Sequence, residues 1–105
     1  MARPPIHPGK ILADELRELS VKPSALARQL AVPANRITQI VQGKRSITGD
    51  TALRLGHWFG TSAQFWLNLQ SAYDLRMAES LVGREIKRLP VRPVKGTVAA
   101  SAEAD

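Results

Sequence analysis

Pro23 and Pro33 stand ten positions apart, and the residues around them leave this chain few ways to fold. A proline at the start of a helix loses nothing, because its missing N–H would have had no partner there. Pro23 therefore opens a helix that carries Leu26, Ala27 and Leu30 on one side and ends near Ala31. After Pro33 a second helix begins at about Ala34, with Ile37, Ile40 and Val41 turned inward. Gly43 closes it as the residue of positive φ beyond its end. Helices this short are not stable alone. They must pack against each other and against a further apolar layer. The small Ala27 sits where two such helices would cross, and Val32 fills the turn between them.

The rest of the chain supplies that layer. Leu12, Leu16 and Leu19 recur at helical spacing ahead of Pro23. Thr48 is a good N-cap for a helix over 49–59, with Asp50 in its first turn and Gly60 at its end. Thr61 and Gln64 form a capping box for a fifth helix reaching about Leu81. Its stripe is Phe65, Trp66, Leu69, Ala72, Tyr73 and Met77, with Phe65 and Trp66 expected in the core. No strand pattern competes. The expected fold is all-α: a five-helix bundle with a flexible C-terminal tail. Residues 1–7 read as a proline-rich arm, 8–82 as the folded domain, and 83–105 as a basic, disordered tail.

Charge is distributed unevenly along this frame. The chain carries a net +6, and no acidic residue lies between Leu19 and Gly49. Lys22, Arg28, Arg36, Lys44 and Arg45 fall in that interval. A single sign of charge across a folded segment is the footprint of a surface that faces phosphates. Other chemistries lack their parts. With no cysteine, disulfides and thiolate metal sites are excluded. His7 and His57 are isolated and suggest no metal centre; no cofactor loop or nucleophile–base pair is visible, so neither a cofactor nor an enzyme is expected. No apolar run suggests a signal peptide or a membrane span, which makes a soluble, cytoplasmic protein the expectation.

The spacing of small and apolar residues over 23–42 is that of a helix-turn-helix, and it resembles the phage-repressor-like, Xre-type family. One position departs: Ala31 stands where glycine is usual, and a left-handed alanine costs about 1 kcal/mol. The outward face of the second helix of the pair carries Ala34, Asn35, Arg36, Thr38, Gln39 and Gln42. Amides pair in two-point fashion with adenine, and arginine with guanine or phosphate. Asn35 and Gln39 are the expected base readers, with Thr38 close to a base or a thymine methyl. Arg36, Lys44 and Arg45 suit phosphates, as do Ser24 and the N–H groups at the start of its helix. Leu67, Leu75, Ala78 and Val82 lie off the main stripe of the fifth helix and suggest a homodimer contact.

Further segments narrow the resemblance. His7–Leu12, Gln42–Thr48, Asp50–Leu55, Phe59–Ser62, Phe65–Gln70 and Ala72–Leu75 together look like the HigA/VapI family of antitoxins, over about residues 6–80. What that resemblance implies is a dimeric repressor of its own operon that binds a palindromic operator and neutralises a RelE-like (HigB-type) ribonuclease toxin. Two other readings stay open at this point. One is a stand-alone transcriptional regulator without a toxin. The other is a protein-interaction module that uses the fifth helix and does not bind DNA.

Overall fold

A computed structural model of the chain describes residues 4–93. Five helices follow one another: α1 (Pro8–Glu18), α2 (Pro23–Leu30), α3 (Ala34–Val41), α4 (Gly49–Phe59) and α5 (Ala63–Lys87). The expected five-helix, all-α bundle is the fold observed. None of these helices is long and apolar enough to cross a membrane.

One device ends the first four helices. The chain enters the left-handed region just past each of them, at Ser20, Ala31, Gly43 and Gly60. The next N–H then reaches back to a carbonyl of the last turn: Val21 to Leu16, Val32 to Ala27, Lys44 to Gln39 and Thr61 to Gly56, all within 2.8–3.0 Å. These bonds satisfy carbonyls that a helix end otherwise leaves without partners. Ala31, at φ 60°, takes the glycine-like backbone that the family position calls for. Ser20, at φ 55°, does the same after α1, with no glycine to announce it.

The core gathers Leu12 and Leu16 of α1, Leu26, Ala27 and Leu30 of α2, Ile37 and Ile40 of α3, Ile47 of the following loop, Ala52 and Leu55 of α4, and Trp66 of α5. Ile37 and Ile40 have no exposed surface. Their burial fixes the rotation of α3 about its axis, so the residues between them have to face outward.

Several expectations about α5 are corrected. Its N-cap is Ser62, whose Oγ accepts from the Phe65 N–H at 3.1 Å, and not Thr61. The Thr61 hydroxyl instead accepts from the Trp66 indole at 3.1 Å. Trp66 is buried as expected, but Phe65 is 43 % exposed. Adjacent helical side chains diverge by about 100°, so only one of the pair points into the core. Leu67, expected on a dimer face, is half-buried and packs against the core. The helix also continues through Gly83 to Lys87, into the segment expected to be a disordered tail. Of that tail, residues 94–105 lie outside the described residues, as do 1–3 of the arm.

His7, which suggested nothing beyond an isolated imidazole, is the N-cap of α1. Its Nδ1 accepts from the Gly9 N–H at 2.8 Å, and its ring meets Tyr73 edge-on at 4.8 Å. Accepting at Nδ1 requires that nitrogen to be unprotonated. Burial pushes the His7 pKa below 6.5, with the Asp74 carboxylate opposing the shift. A lowered folded-state pKa means that the unfolded chain takes up the proton first. The cap is therefore fully present above pH 6.5 and is lost as pH falls through the lower folded value. Denaturant melts should show stability declining below pH 6.5, by no more than the roughly 1 kcal/mol of a helix cap. In His7→Asn, whose amide oxygen can cap at any of these pH values, that decline should disappear.

Candidate nucleic-acid interface

Helix α3 carries the outward face, and α2 and the loop after α3 border it. Ala34 and Asn35 are exposed in the first turn of α3, and Thr38 and Gln39 are half-buried one turn further on. Gln42, Lys44 and Arg45 are exposed. Neither α2 nor α3 has an acidic residue in its first turn or a side-chain cap. Both N-termini thus keep the partial positive charge of their N–H groups. Ser24 is exposed at the second position of α2.

The loop between α3 and α4 is held at both ends. Gly43, at φ 76°, lets the Lys44 N–H donate to the Gln39 carbonyl at 2.8 Å. The Arg45 Nε donates to the Gln39 Oε1 at 2.9 Å, so the loop also grips that side chain. Further along, the Ile47 N–H donates to the Oε1 of Gln70 at 2.8 Å. Gln70 is nearly fully buried, and its Nε2 donates to Asp74 at 2.9 Å and to the Ser46 hydroxyl at 3.3 Å. A buried amide with both ends occupied acts as a strut from α5 to the loop that carries Lys44 and Arg45.

Arg36 is oriented differently from what its charge suggested. Its guanidinium bonds Asp50 of α4 at 2.6 Å and is only 28 % exposed. Arg54 bonds the same carboxylate oxygen at 2.7 Å and donates to the Leu30 carbonyl at 2.8 Å, across to the end of α2. Asp50 thus joins α3 to α4 and, through Arg54, to α2. The hydrogen bonds from Arg54 and then Arg36 hold its carboxyl below the usual carboxylate range. These bonds are present at neutral pH and are lost only as pH falls below that range. Asp50 is more than half exposed, and ion pairs to so exposed a carboxylate add little to stability. Its effect is on the surface potential, because one anion occupies the edge of a cationic face.

The helix-turn-helix residues expected from sequence therefore come together as one face: Ala34, Asn35, Thr38 and Gln39 with the loop residues Lys44 and Arg45. Arg36 is drawn towards α4, and Ser24 stands on the other helix. The Asp50–Arg54 contact, missed in the sequence, has the i, i+4 spacing as its signal, whereas the Arg36–Asp50 contact spans 14 residues and has no local signal. Gln70 did have one: a polar residue one helical turn after the core tryptophan.

On α5 the remaining dimer candidates separate from the core. Leu75 is 64 % exposed, Ala78 is exposed and Val82 is half-buried. Leu81 and Ile86 are exposed nearby.

No family model matches the chain. Individual relatives do. Over 77 residues, 72 % of this chain and 71 % of the relative, it is 54 % identical to virulence-associated protein I of Dichelobacter nodosus. A HigA-family addiction module antidote protein from Coxiella burnetii superposes with a TM-score of 0.82 at 53 % identity, covering 87 % of this chain and 99 % of that one. The antitoxin HigA of Pseudomonas aeruginosa, solved with the higBA promoter, superposes with a TM-score of 0.80 at 49 % identity, again over 87 % and 99 %. Such identities over nearly the whole of two solved chains extend well beyond the helix-turn-helix itself. The chain belongs to the HigA family of helix-turn-helix antitoxins.

Proposed function

We propose that this protein is a DNA-binding antitoxin that represses its own operon as a homodimer and neutralises a RelE-like, HigB-type toxin. The observation that carries the DNA half is the face of α3. Buried Ile37 and Ile40 turn Asn35, Thr38 and Gln39 outward, beside Lys44 and Arg45 and with no acid among them. A helix presented this way enters the major groove with its first turns deepest. Asn35, Thr38 and Gln39 face base edges, and Ala34 allows close approach. Lys44, Arg45, Ser24 and the free N–H groups at the start of α2 take phosphates. Arg36 adds positive charge at the edge of the groove while it stays paired with Asp50.

Two copies joined through Leu75, Ala78 and Val82 of α5 would place two α3 helices on a palindromic operator. The relative solved with its promoter DNA supports the DNA-binding part of this reading, and a DNA partner implies action in the cytoplasm. The toxin half rests on family membership. The test is co-expression with the product of the neighbouring small reading frame, read by co-purification and by growth, alongside binding to the DNA upstream of the chain's own gene. A complex that relieves growth arrest, with a specific DNA shift, supports both halves. A shift with no complex and no toxicity leaves a stand-alone regulator.

The Asp50 contact gives a further expectation. Asp50→Asn removes an anion from the DNA-facing edge and releases Arg36. Affinity for DNA of any sequence should rise several-fold, and the dependence of log K on log salt should steepen by about 1, the value for one added phosphate contact. Fluorescence anisotropy across a salt series measures both. Weaker binding with an unchanged slope would show instead that the ion pair serves to hold α3 in place.

A further inference from the structure

The contact between Gln39 and Arg45 has a consequence for the base that this face selects. An unconstrained glutamine offers an adenine edge one donor and one acceptor, because adenine presents N7 to accept and N6–H to donate. Gln39 is not unconstrained. Its Oε1 already accepts from the Arg45 Nε at 2.9 Å. The contact is set by backbone as well as by side chains, since the Lys44 N–H bonds the Gln39 carbonyl at 2.8 Å and Gly43 turns the loop at φ 76°. Arg45, an exposed residue, is thereby held next to the Gln39 amide, and the bond uses only its Nε–H.

This arrangement changes what the pair presents to DNA. With its oxygen towards the guanidinium, the Gln39 amide turns its NH2 away from Arg45. An adenine amino group approaching Oε1 would have to come in beside a full positive charge, donor against donor. Guanine meets no such conflict, because both of its major-groove groups, O6 and N7, are acceptors. We infer that Gln39 and Arg45 act together as a donor-only pair that reads a guanine, with Arg45 as the positioning residue that fixes the amide. This inference rests on the proposed DNA-binding function and gives Arg45 a role other than the phosphate contact its charge suggests.

The test is selection of binding sites from a library of randomised half-sites with the full chain, with Gln39→Ala, Arg45→Ala and Arg45→Lys run in parallel. The wild-type chain should enrich guanine at one position per half-site. Gln39→Ala and Arg45→Ala should each lose that preference at the same position, by roughly 5- to 150-fold. Arg45→Lys keeps the charge but lacks the Nε–H beside a planar fork. It should hold overall affinity and still lose the preference, which a phosphate contact would not do. Replacing that guanine by 7-deazaguanine should weaken the wild-type chain and leave Gln39→Ala unaffected. Adenine enriched at the Gln39-dependent position overturns the inference. So does an Arg45→Ala chain with unchanged base preference and uniformly lower affinity. A wild-type chain that enriches no sequence overturns the DNA-binding reading itself, and this one with it.

Discussion

Gly9→Ala should lower the thermal midpoint of this protein by roughly 10–25 °C, the shift that about 3 kcal/mol produces in a domain of this size. Gly9 lies in the first turn of α1, fully packed, at the place where α1 meets the end of α3. A Cβ built there runs into the backbone carbonyl of Ile40. That carbonyl cannot turn aside freely, because it accepts from the Gly43 N–H at 2.9 Å in the bonds that end α3. Overpacking a core costs about 1–3 kcal/mol where side chains yield, and more where backbone has to move. Against a total stability of about 5–15 kcal/mol, that is a large fraction. Gly49→Ala is the control, since a Cβ there meets nothing within 4 Å and alanine favours the helix. A Gly9→Ala midpoint within a few degrees of wild type would contradict the close approach of α1 to α3. If the variant is folded but shifted, its DNA binding should also weaken, because the displaced segment leads into Lys44 and Arg45.

The elements that were legible in sequence are those whose causes are local. Pro23 opens α2, Gly43 and Gly60 close α3 and α4, and Ile37 and Ile40 set the buried side of α3. Each of these depends on residues within one or two turns. The missed features depend on choices between near-equivalent neighbours or on distant partners. Thr61 and Ser62 both carry a hydroxyl able to cap α5, and the choice falls to Ser62 because Thr61 is taken by the Trp66 indole. Phe65 and Trp66 are both large and aromatic, and their order in the core follows from how α5 crosses α4. The end of α5 was expected near Leu81 because Gly83 and the prolines beyond it break the pattern. A mid-helix glycine costs only about 1 kcal/mol, and Arg84 and Lys87 suit the negative end of the helix dipole. The helix therefore runs on to Lys87 and is capped at Arg88, two residues ahead of Pro90, which has no N–H to continue it. In the candidate interface the identity of the face was legible, but the settings of its side chains were not. Arg36 turns to Asp50 and Gln39 to Arg45 through contacts that close only when the loop after α3 is in place.

On the proposed homodimer, Leu75→Asp should convert the chain from dimer to monomer and lower its affinity for a full palindromic operator by about 10²- to 10⁴-fold, the range over which joining two sites raises avidity. The reasoning begins with α5 as a helix. Its first half is anchored by Trp66 and Gln70, its only buried residues. Most of residues 74–87 are exposed, and a stretch of that length is marginal as an isolated helix in water. Leu75, Ala78, Val82 and Ile86 nevertheless recur at i, i+3, i+7 and i+11, on the side of α5 opposite Trp66. An apolar stripe on a helix that leaves its own core is stabilised when a second copy covers it, and two-fold pairing is the usual way to meet two half-sites. A carboxylate in that stripe would be buried by the second copy without a partner, which is strongly destabilising. Light scattering should report a monomer, and circular dichroism should show helix lost from the end of α5 only. Affinity for DNA containing a single half-site should be unchanged, because α3 is untouched. Leu67→Asp provides the contrast. Leu67 packs against the core, so that change should lower the stability of the folded chain itself rather than act through assembly alone. A Leu75→Asp chain that remains a dimer and binds the operator at full strength would place the interface elsewhere on the surface and remove α5 from the mechanism.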